Sequence, residues 1–579
     1  MILQSLVKLY EDLERRGEIA PDGWSPIKTG FAVCLDHNGK VTQIVSLVNE
    51  EVRGRKTVVA PQTHILPAPV TKTSGKVSNF IWENANYLLG LPKDDSEKEK
   101  SEASARFEVC RKLHHDLLDP CGSEAAQSIL KYFDTWDSNA AEQHTAIRGL
   151  TDELRKGGYL TFRVNGSFAY EDPEIRSAWE KHYFESSGEM MQCLVTGEYG
   201  PVEAIHPKIK GVRDAQSSGA SLVSFNADAF CSYNRKQNIN APVGKYAAFA
   251  YTAALNHLIA DRNNVQHIGD ATIVCWAEGA EPQYSGFSCA ALFGQEERSG
   301  LSSNDLRAAV ARLAAGLPVE ELDLKPDKQF YILGLSPNAS RLSVRFFLRN
   351  TFGSFMKNIN DHHERMEIVR PAYDSYETIP LWKLLGETVN PNSRDKAASP
   401  VLSGAVARAV FTGGPYPASL LENVMVRIKA EQDISRGKAA IIKAYYLKNP
   451  NEGCPKEVLT VSLNENSTNV AYNLGRMFSV FEEIQQKANP SINTTIKDKY
   501  FNSAAAAPAT IFPVLDNLCQ KHLRKLDDKS RIYCSRLLGD IKDKLGEEYP
   551  ARMTLPQQGS FYLGYYHQTQ KRYAKKEEN

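Results

Sequence analysis

The residues best suited to metal or acid–base chemistry are Cys110, His114, His115 and Cys121, which fall within twelve positions of one another. Cys110 and His114 share a helix face at i, i+4. A zinc site draws its thiolate and imidazole ligands from better-spaced pairs with a turn between them. The plainer alternative is a helix with a buried cysteine and surface histidines. Asp361, His362 and His363 are consecutive, and neighbours on a helix point to different sides, so one shared metal is not expected. The chain has no P-loop, no HExxH and no GxSxG. Ser217-Ser218-Gly219-Ala220-Ser221 lacks the flanking glycine of a nucleophile elbow. No catalytic constellation survives, so the chain is expected to be no enzyme and to need no cofactor or metal.

Polar and basic loops are more informative. In Thr71-Lys72-Thr73-Ser74-Gly75-Lys76 two lysines flank hydroxyls and a glycine. Glycine permits close backbone approach, and a helix beginning at Asn79 would offer unpaired N–H groups at its positive end. The loop fits a phosphate or a groove edge, and equally a polar turn that only caps a helix. Gln216, Ser217, Ser218 and Asn226 supply neutral hydrogen-bonding groups, and Asn234-Arg235-Lys236-Gln237-Asn238 follows the aromatic Tyr233. Asn and Gln can read base edges, whereas Arg and Lys hold phosphates. Toward the C-terminus Lys521, Arg524 and Lys525 form one helical stripe. Lys571, Arg572, Lys575 and Lys576 form another, interleaved with Tyr565, Tyr566 and Tyr573. Cations beside aromatics suit a single-stranded path. A basic last helical turn also complements the helix dipole with no further role.

The elements that must position these groups follow from periodicity. Asn38-Gly39 sits between two alternating runs, FAVCLD and KVTQIVSLV, which predicts a hairpin. Pro61, Pro67 and Pro69 keep 58–70 extended. A helix is expected over FIWENANYLLG, ended by Gly90, and the charged run 94–108 reads as a solvated helix start or surface loop. Residues 105–190 read as mainly helical. From 205 to 350 strand-like ATIVCWAE and RLSVRFFL alternate with helix-like KYAAFAYTAALNHLIA. Beyond 395 helical periods cover 404–412, 418–431, 437–448, 468–488, 530–545 and 559–576. The expected fold is α+β, with a mixed region over 1–395 and an all-helical bundle over 396–579, divided near the polar stretch 390–400. Length alone requires more than one core.

Lys plus Arg (69) balances Asp plus Glu (69), which excludes histone-like binding but allows a local basic groove. The ten cysteines are scattered without a CxxC pair, as in a reducing cytoplasm. The opening MILQSLVKLYEDLERRGEIAP is amphipathic and charged, and no apolar run reaches membrane-spanning length, so a cytoplasmic location without a membrane partner is expected.

Several long segments carry a family resemblance. They include PAPVTKTSGKVSNFIWENANYLLGL, DAQSSGASLVSFNADAFCSYNRKQNINAPVGKYAAFAYTAALNHL, ILGLSPNASRLSVRFFLRNTFG and YNLGRMFSVFEEIQQKANPSINTTIKDKYFNSAAAAPATIFP, with GYYHQTQKRYAKK near the end. The chain resembles the large subunit of the type I-C CRISPR Cascade complex over nearly its whole length. That resemblance implies a non-catalytic subunit at the crRNA 5′-handle end, beside the backbone and handle-processing subunits. Its N-terminal part would inspect the protospacer-adjacent motif (PAM) in duplex target DNA and help part the strands. Its C-terminal bundle would follow the displaced single strand, while a recruited helicase-nuclease cuts. The bundle would also be made separately as a small subunit by internal translation. The DNA-contacting residues would be Lys72, Thr73, Ser74, Gly75, Lys76, Asn79, Gln216, Ser217, Ser218, Asn234, Arg235, Lys236 and Asn238. Lys521, Arg524, Lys525, Lys571 and Arg572 would guide the displaced strand. A metal enzyme built on Cys110–Cys121 and a purely structural scaffold are the competing readings.

Overall fold

A computed structural model describes residues 1–53, 56–70, 76–185, 188–293, 300–394 and 396–573. The chain divides into two compact units, Met1–Ile209 with Ser221–His257 and Lys210–Ala220 with Leu258–Asn579. The α+β class expected from the sequence is the class observed.

In the first unit the long strand Trp24–Leu35 organises the sheet. It runs antiparallel to Val41–Ser46 and Lys56–Pro67 and parallel to Tyr159–Val164. Val48–Arg53 extends one edge and Trp82–Asn84 the other. The Asn38-Gly39 hairpin forms as its sequence requires. Asp36 Oδ1 accepts the backbone N–H groups of Asn38 and Lys40, both at 2.9 Å. Gly39 has φ +76°, and a Cβ there would stand 2.5 Å from the Tyr132 amide, so the turn needs glycine for its backbone and its neighbour alike. Helices Glu97–Leu118 and Glu124–Thr135 begin on the caps Ser96 and Ser123. The charged run 94–108 is largely the solvated opening of the first. Phe107, Cys110, Ile129 and Phe133 share a core with Phe31, Val33, Leu160 and Phe162 of the sheet.

Two local expectations are corrected here. Tyr159–Val164 lies within a stretch read as mainly helical, yet it is a strand with Leu160, Phe162 and Val164 buried. Six residues give little periodicity to read, and parallel pairing to a partner more than a hundred residues away settles the matter. The helix expected over FIWENANYLLG is instead the strand Trp82–Asn84 followed by the short helix Ala85–Leu88, capped by Asn84 rather than Asn79. Ile81 breaks the helix by adopting φ +57°. Gly90, at φ +69°, follows the helix end as expected.

The second unit holds an antiparallel sheet in the order Val265–Ile268, Ala271–Ala277, Gln329–Asn338, Arg341–Thr351. Ala271–Ala277 is buried along its whole length, which its unbroken apolar sequence anticipates. Helices Pro400–Thr412, Ala418–Glu431, Arg436–Lys448, Val470–Ala488, Asp528–Lys542 and Leu555–Tyr573 match the periodic segments, with Ile496–Ala506 and Pro508–Leu523 between them. The polar stretch 390–400 lies inside this unit. One core joins Ile273, Phe330 and Met356 before it to Val406, Ile442 and Phe561 after it. Helix Arg436–Lys448 is buried almost throughout, Lys438 and Lys443 included. Lys443 Nζ donates to the Arg365 and Glu367 carbonyls at 3.0 and 2.6 Å, and its burial brings the ammonium pKa down to about 8. Helices Val470–Ala488 and Leu555–Tyr573 cross at Gly475 and Gly564, where a Cβ on either would overlap a backbone carbonyl of the other helix. Among the described residues no helix is long and apolar enough to cross a membrane.

Candidate nucleic-acid interface

Thr71, Lys72, Thr73, Ser74 and Gly75 lie outside the described residues. Both ends of that loop are described, and they are tied together. The Val70 N–H donates to Asn79 Oδ1 at 2.9 Å, and Asn79 Nδ2 donates to Glu83 Oε2 at 3.0 Å. Asn79 is only 4% exposed, so its side chain closes the loop's base instead of standing open to a base edge. Lys76 pairs with Glu102 at 3.3 Å, and Arg106 shares that carboxylate.

Beneath this base His114 is fully buried, not at the surface. Its Nε2 accepts the Ile81 N–H at 3.0 Å, so its Nδ1 carries the proton and donates to the Cys110 carbonyl at 2.7 Å. The Thr161 hydroxyl holds the Ile81 carbonyl at 3.1 Å. A β-branched residue in the left-handed region persists only when its surroundings over-determine it, and here both of its peptide groups are pinned. Burial pulls the His114 pKa down to about 4. With both ring nitrogens committed, His114 has no lone pair for a metal. His115 is the more accessible histidine, between Asp119 and Asp134 at 3.0 Å each, and the Cys121 thiol faces the Leu117 and Glu174 carbonyls. Among the described residues no group of three or more His, Cys, Asp or Glu could hold a metal ion.

Also in the first unit, the loop 232–240 is a pre-built projection. Tyr233, Asn234 and Gln237 have φ of 54°, 58° and 54°. Asn240 staples this uncommon backbone. Its Oδ1 accepts the Ser232 N–H at 2.8 Å, and its Nδ2 donates to the Arg235 and Gln237 carbonyls at 3.1 and 2.9 Å. The result leaves Tyr233 95% exposed, with Asn234, Arg235 and Lys236 in solvent beside it. Asn238 is buried, and its N–H donates to the Ala204 carbonyl, so it anchors the loop rather than projecting from it. Gln216, Ser217 and Ser218 belong to the second unit and are exposed on a turn closed by the Gly219 N–H on the Gln216 carbonyl.

The structure brings both C-terminal stripes to one end of the second unit's bundle. Arg572 reaches Gln486 Oε1 at 2.8 Å on helix Val470–Ala488. Asn489, just past that helix, bonds His522 at 3.2 Å and Lys525 at 3.4 Å. Three helix C-termini thus meet, and the negative ends of their dipoles favour the cations gathered there. Lys521, Arg524 and Lys525 are exposed, whereas Lys571 pairs with Glu465. Lys575 and Lys576 lie outside the described residues. Tyr565 and Tyr566 do not line a strand path. They are core residues whose hydroxyls donate to Glu482 Oε2 at 2.6 Å and the Val369 carbonyl at 2.7 Å. The accessible aromatics are Tyr573 and Tyr533, the latter 57% exposed with the Lys487 ammonium 5.6 Å from its ring. The sequence signal for this exposed ring is Lys529 and Arg536 at helical spacing on either side of it.

The family model described as CRISPR-associated protein (Cas_Csd1) matches residues 6–573. No curated protein matches the chain. A match over nearly the whole length shows the family: the chain belongs to the Cas_Csd1 family and is a CRISPR-associated protein.

Proposed function

We propose that this protein is the non-catalytic large subunit of a type I-C Cascade complex. In this reading it inspects the PAM in duplex DNA, assists strand separation and recruits the helicase-nuclease. In such complexes guide pairing reads most of the sequence and protein reads only a short duplex motif. The observation that carries the reading is the Asn240-stapled loop, which holds an exposed tyrosine, an asparagine and two cations in a fixed backbone. Arg235 and Lys236 hold phosphates, Asn234 offers its amide to a base edge, and Tyr233 is the group able to stack on an unpaired step. Lys72 and Lys76 add phosphate contacts, and Gln216, Ser217 and Ser218 a second polar edge. Asn79 and Asn238 act by positioning their loops. The cations at the bundle's end, with Tyr533 and Tyr573, guide the displaced strand.

Replacing Lys72, Arg235 or Lys236 by alanine should weaken duplex binding and flatten its salt dependence by about one unit of slope each. Titrations at several salt concentrations measure this, and unchanged slopes would overturn the assignment of these residues to duplex DNA. Tyr233→Ala should leave duplex affinity nearly unchanged while reducing the fluorescence rise of a 2-aminopurine placed next to the PAM.

A separately translated small subunit must start before Val470 to keep Gly475 with its partner Gly564. Met477 starts too late, and Met425 would also retain helix Arg436–Lys448, whose Ile442 and Tyr446 pack on Gly559. The N-terminal sequence of small subunits co-purified with the complex locates the start. Recovery of full-length chain alone would rule the product out.

A further inference from the structure

A cavity of about 560 Å³ lies in the first unit, between the hairpin tip at Gly39 and the turn that follows helix Glu124–Thr135. Its size is within the ~300–1,000 Å³ of small-molecule sites. Tyr132, Trp136 and His144 are its aromatic lining. Trp136 is fixed by its Nε1–H, which donates to the Leu89 carbonyl at 2.9 Å, and the His144 ring stands 5.0 Å away at 55°. His144 Nδ1 accepts the Ala146 N–H at 3.2 Å, which leaves the proton on Nε2 as a donor. Lys40 is exposed at the rim and makes no ion pair among the described residues. Asp137 and Gln143 add polar edges, and among the described residues Asp137 Oδ1 is engaged by the Asn139 N–H at 3.0 Å.

A fixed π-face, an exposed ammonium and hydrogen-bonding groups at the edge are what an unstacked nucleotide requires for base, phosphate and base edge. A purely apolar ligand would use only the first. We propose that this cavity takes one unstacked nucleotide of a single strand, with its base against Trp136 and His144 and its phosphate beside Lys40. The inference rests on the reading that the chain handles nucleic acid, but on a site separate from the duplex-contacting loops.

The test measures binding of a single-stranded RNA hexamer, the matching DNA hexamer and 5′-AMP to the full chain. Trp136→Ala should weaken hexamer binding about 5- to 150-fold, the range of one base–aromatic stack, with Trp136→Phe restoring most of it. Lys40→Ala should weaken binding less and lower the salt slope by about one. A loss confined to RNA, to DNA or shared with 5′-AMP identifies the source of the nucleotide. Wild-type hexamer affinity in both Trp136→Ala and Lys40→Ala would overturn the proposal. So would a Trp136→Ala loss that tracks a lowered melting temperature while Lys40→Ala binds normally. Duplex binding is measured alongside. If it ignores Lys72, Arg235 and Lys236 while strand binding responds to Trp136, the PAM reading falls and the nucleotide site stands.

Discussion

Gly475→Ala should destabilise the second unit by about 3 kcal/mol or more, although the same change in an open helix is stabilising. Alanine normally gains about 0.8–1 kcal/mol over glycine inside a helix because it restricts the unfolded chain and shields the backbone. At Gly475 the new methyl would overlap the Phe561 carbonyl, and at Gly564 the Tyr472 carbonyl. These are backbone atoms, so no rotamer change relieves the clash and the two helices must separate. Overpacking costs of about 1–3 kcal/mol apply where side chains can give way, and a backbone clash lies at or above that range. Separation would also strain the bonds that bracket the crossing, Tyr472 to His567 and Ser479 to Thr569, both 2.8 Å. Gly539 provides the control, because it is exposed and helical, and a methyl added there would meet nothing within 4 Å. Gly539→Ala should raise the melting temperature slightly, while Gly475→Ala and Gly564→Ala lower it by on the order of 5–10 °C. Equal melting of all three variants would show that the helices do not cross this closely.

Acidification from pH 6.5 to about 4 should remove much of the first unit's stability, with His114 as a principal cause. Burial holds its folded pKa at about 4, whereas in the unfolded chain it titrates near 6.5. The neutral ring is the form that accepts the Ile81 N–H. Below pH 6.5 the unfolded state binds a proton that the native state refuses. The contribution is therefore complete above pH 6.5 and is lost as the pH falls through the folded pKa. Its size is about 3 kcal/mol for a group this deeply buried. His206, bonded to Tyr251 at 2.8 Å and also lowered to about 4, adds to the same window. In the second unit His567, lowered to about 3, acts likewise. Urea melts between pH 7.5 and 4.5 measure the slope. His114→Gln, whose amide oxygen can still accept from Ile81 without titrating, should reduce that slope by about one proton. An identical slope in the variant would mean that His114 is accessible to protons in the folded state.

Much of the architecture was written in local sequence. The Asn38-Gly39 hairpin, the unbroken apolar strand at 271–277 and the C-terminal helices each depend on neighbours a few residues apart, where periodicity and turn chemistry act. The strand Tyr159–Val164 and the left-handed Ile81 could not be read this way. One depends on a parallel partner far along the chain, and the other on His114 and Thr161 reaching it from separate elements.

The same division holds for the functional residues. Sequence by itself determined the family, the α+β class, and which loops carry Asn, Arg, Lys and Tyr, because these are properties of composition and local pattern. Tertiary structure alone decided which of those side chains are free to meet a ligand. Asn79, Tyr565 and Tyr566 are of the right type but are buried with their side chains bonded within the protein, and Asn238 is buried, while Tyr233 and Tyr533 stand in solvent. The reason is physical. Residue type sets what a side chain can bond to, but burial and competing partners, fixed by elements distant in sequence, set whether that capacity is already used.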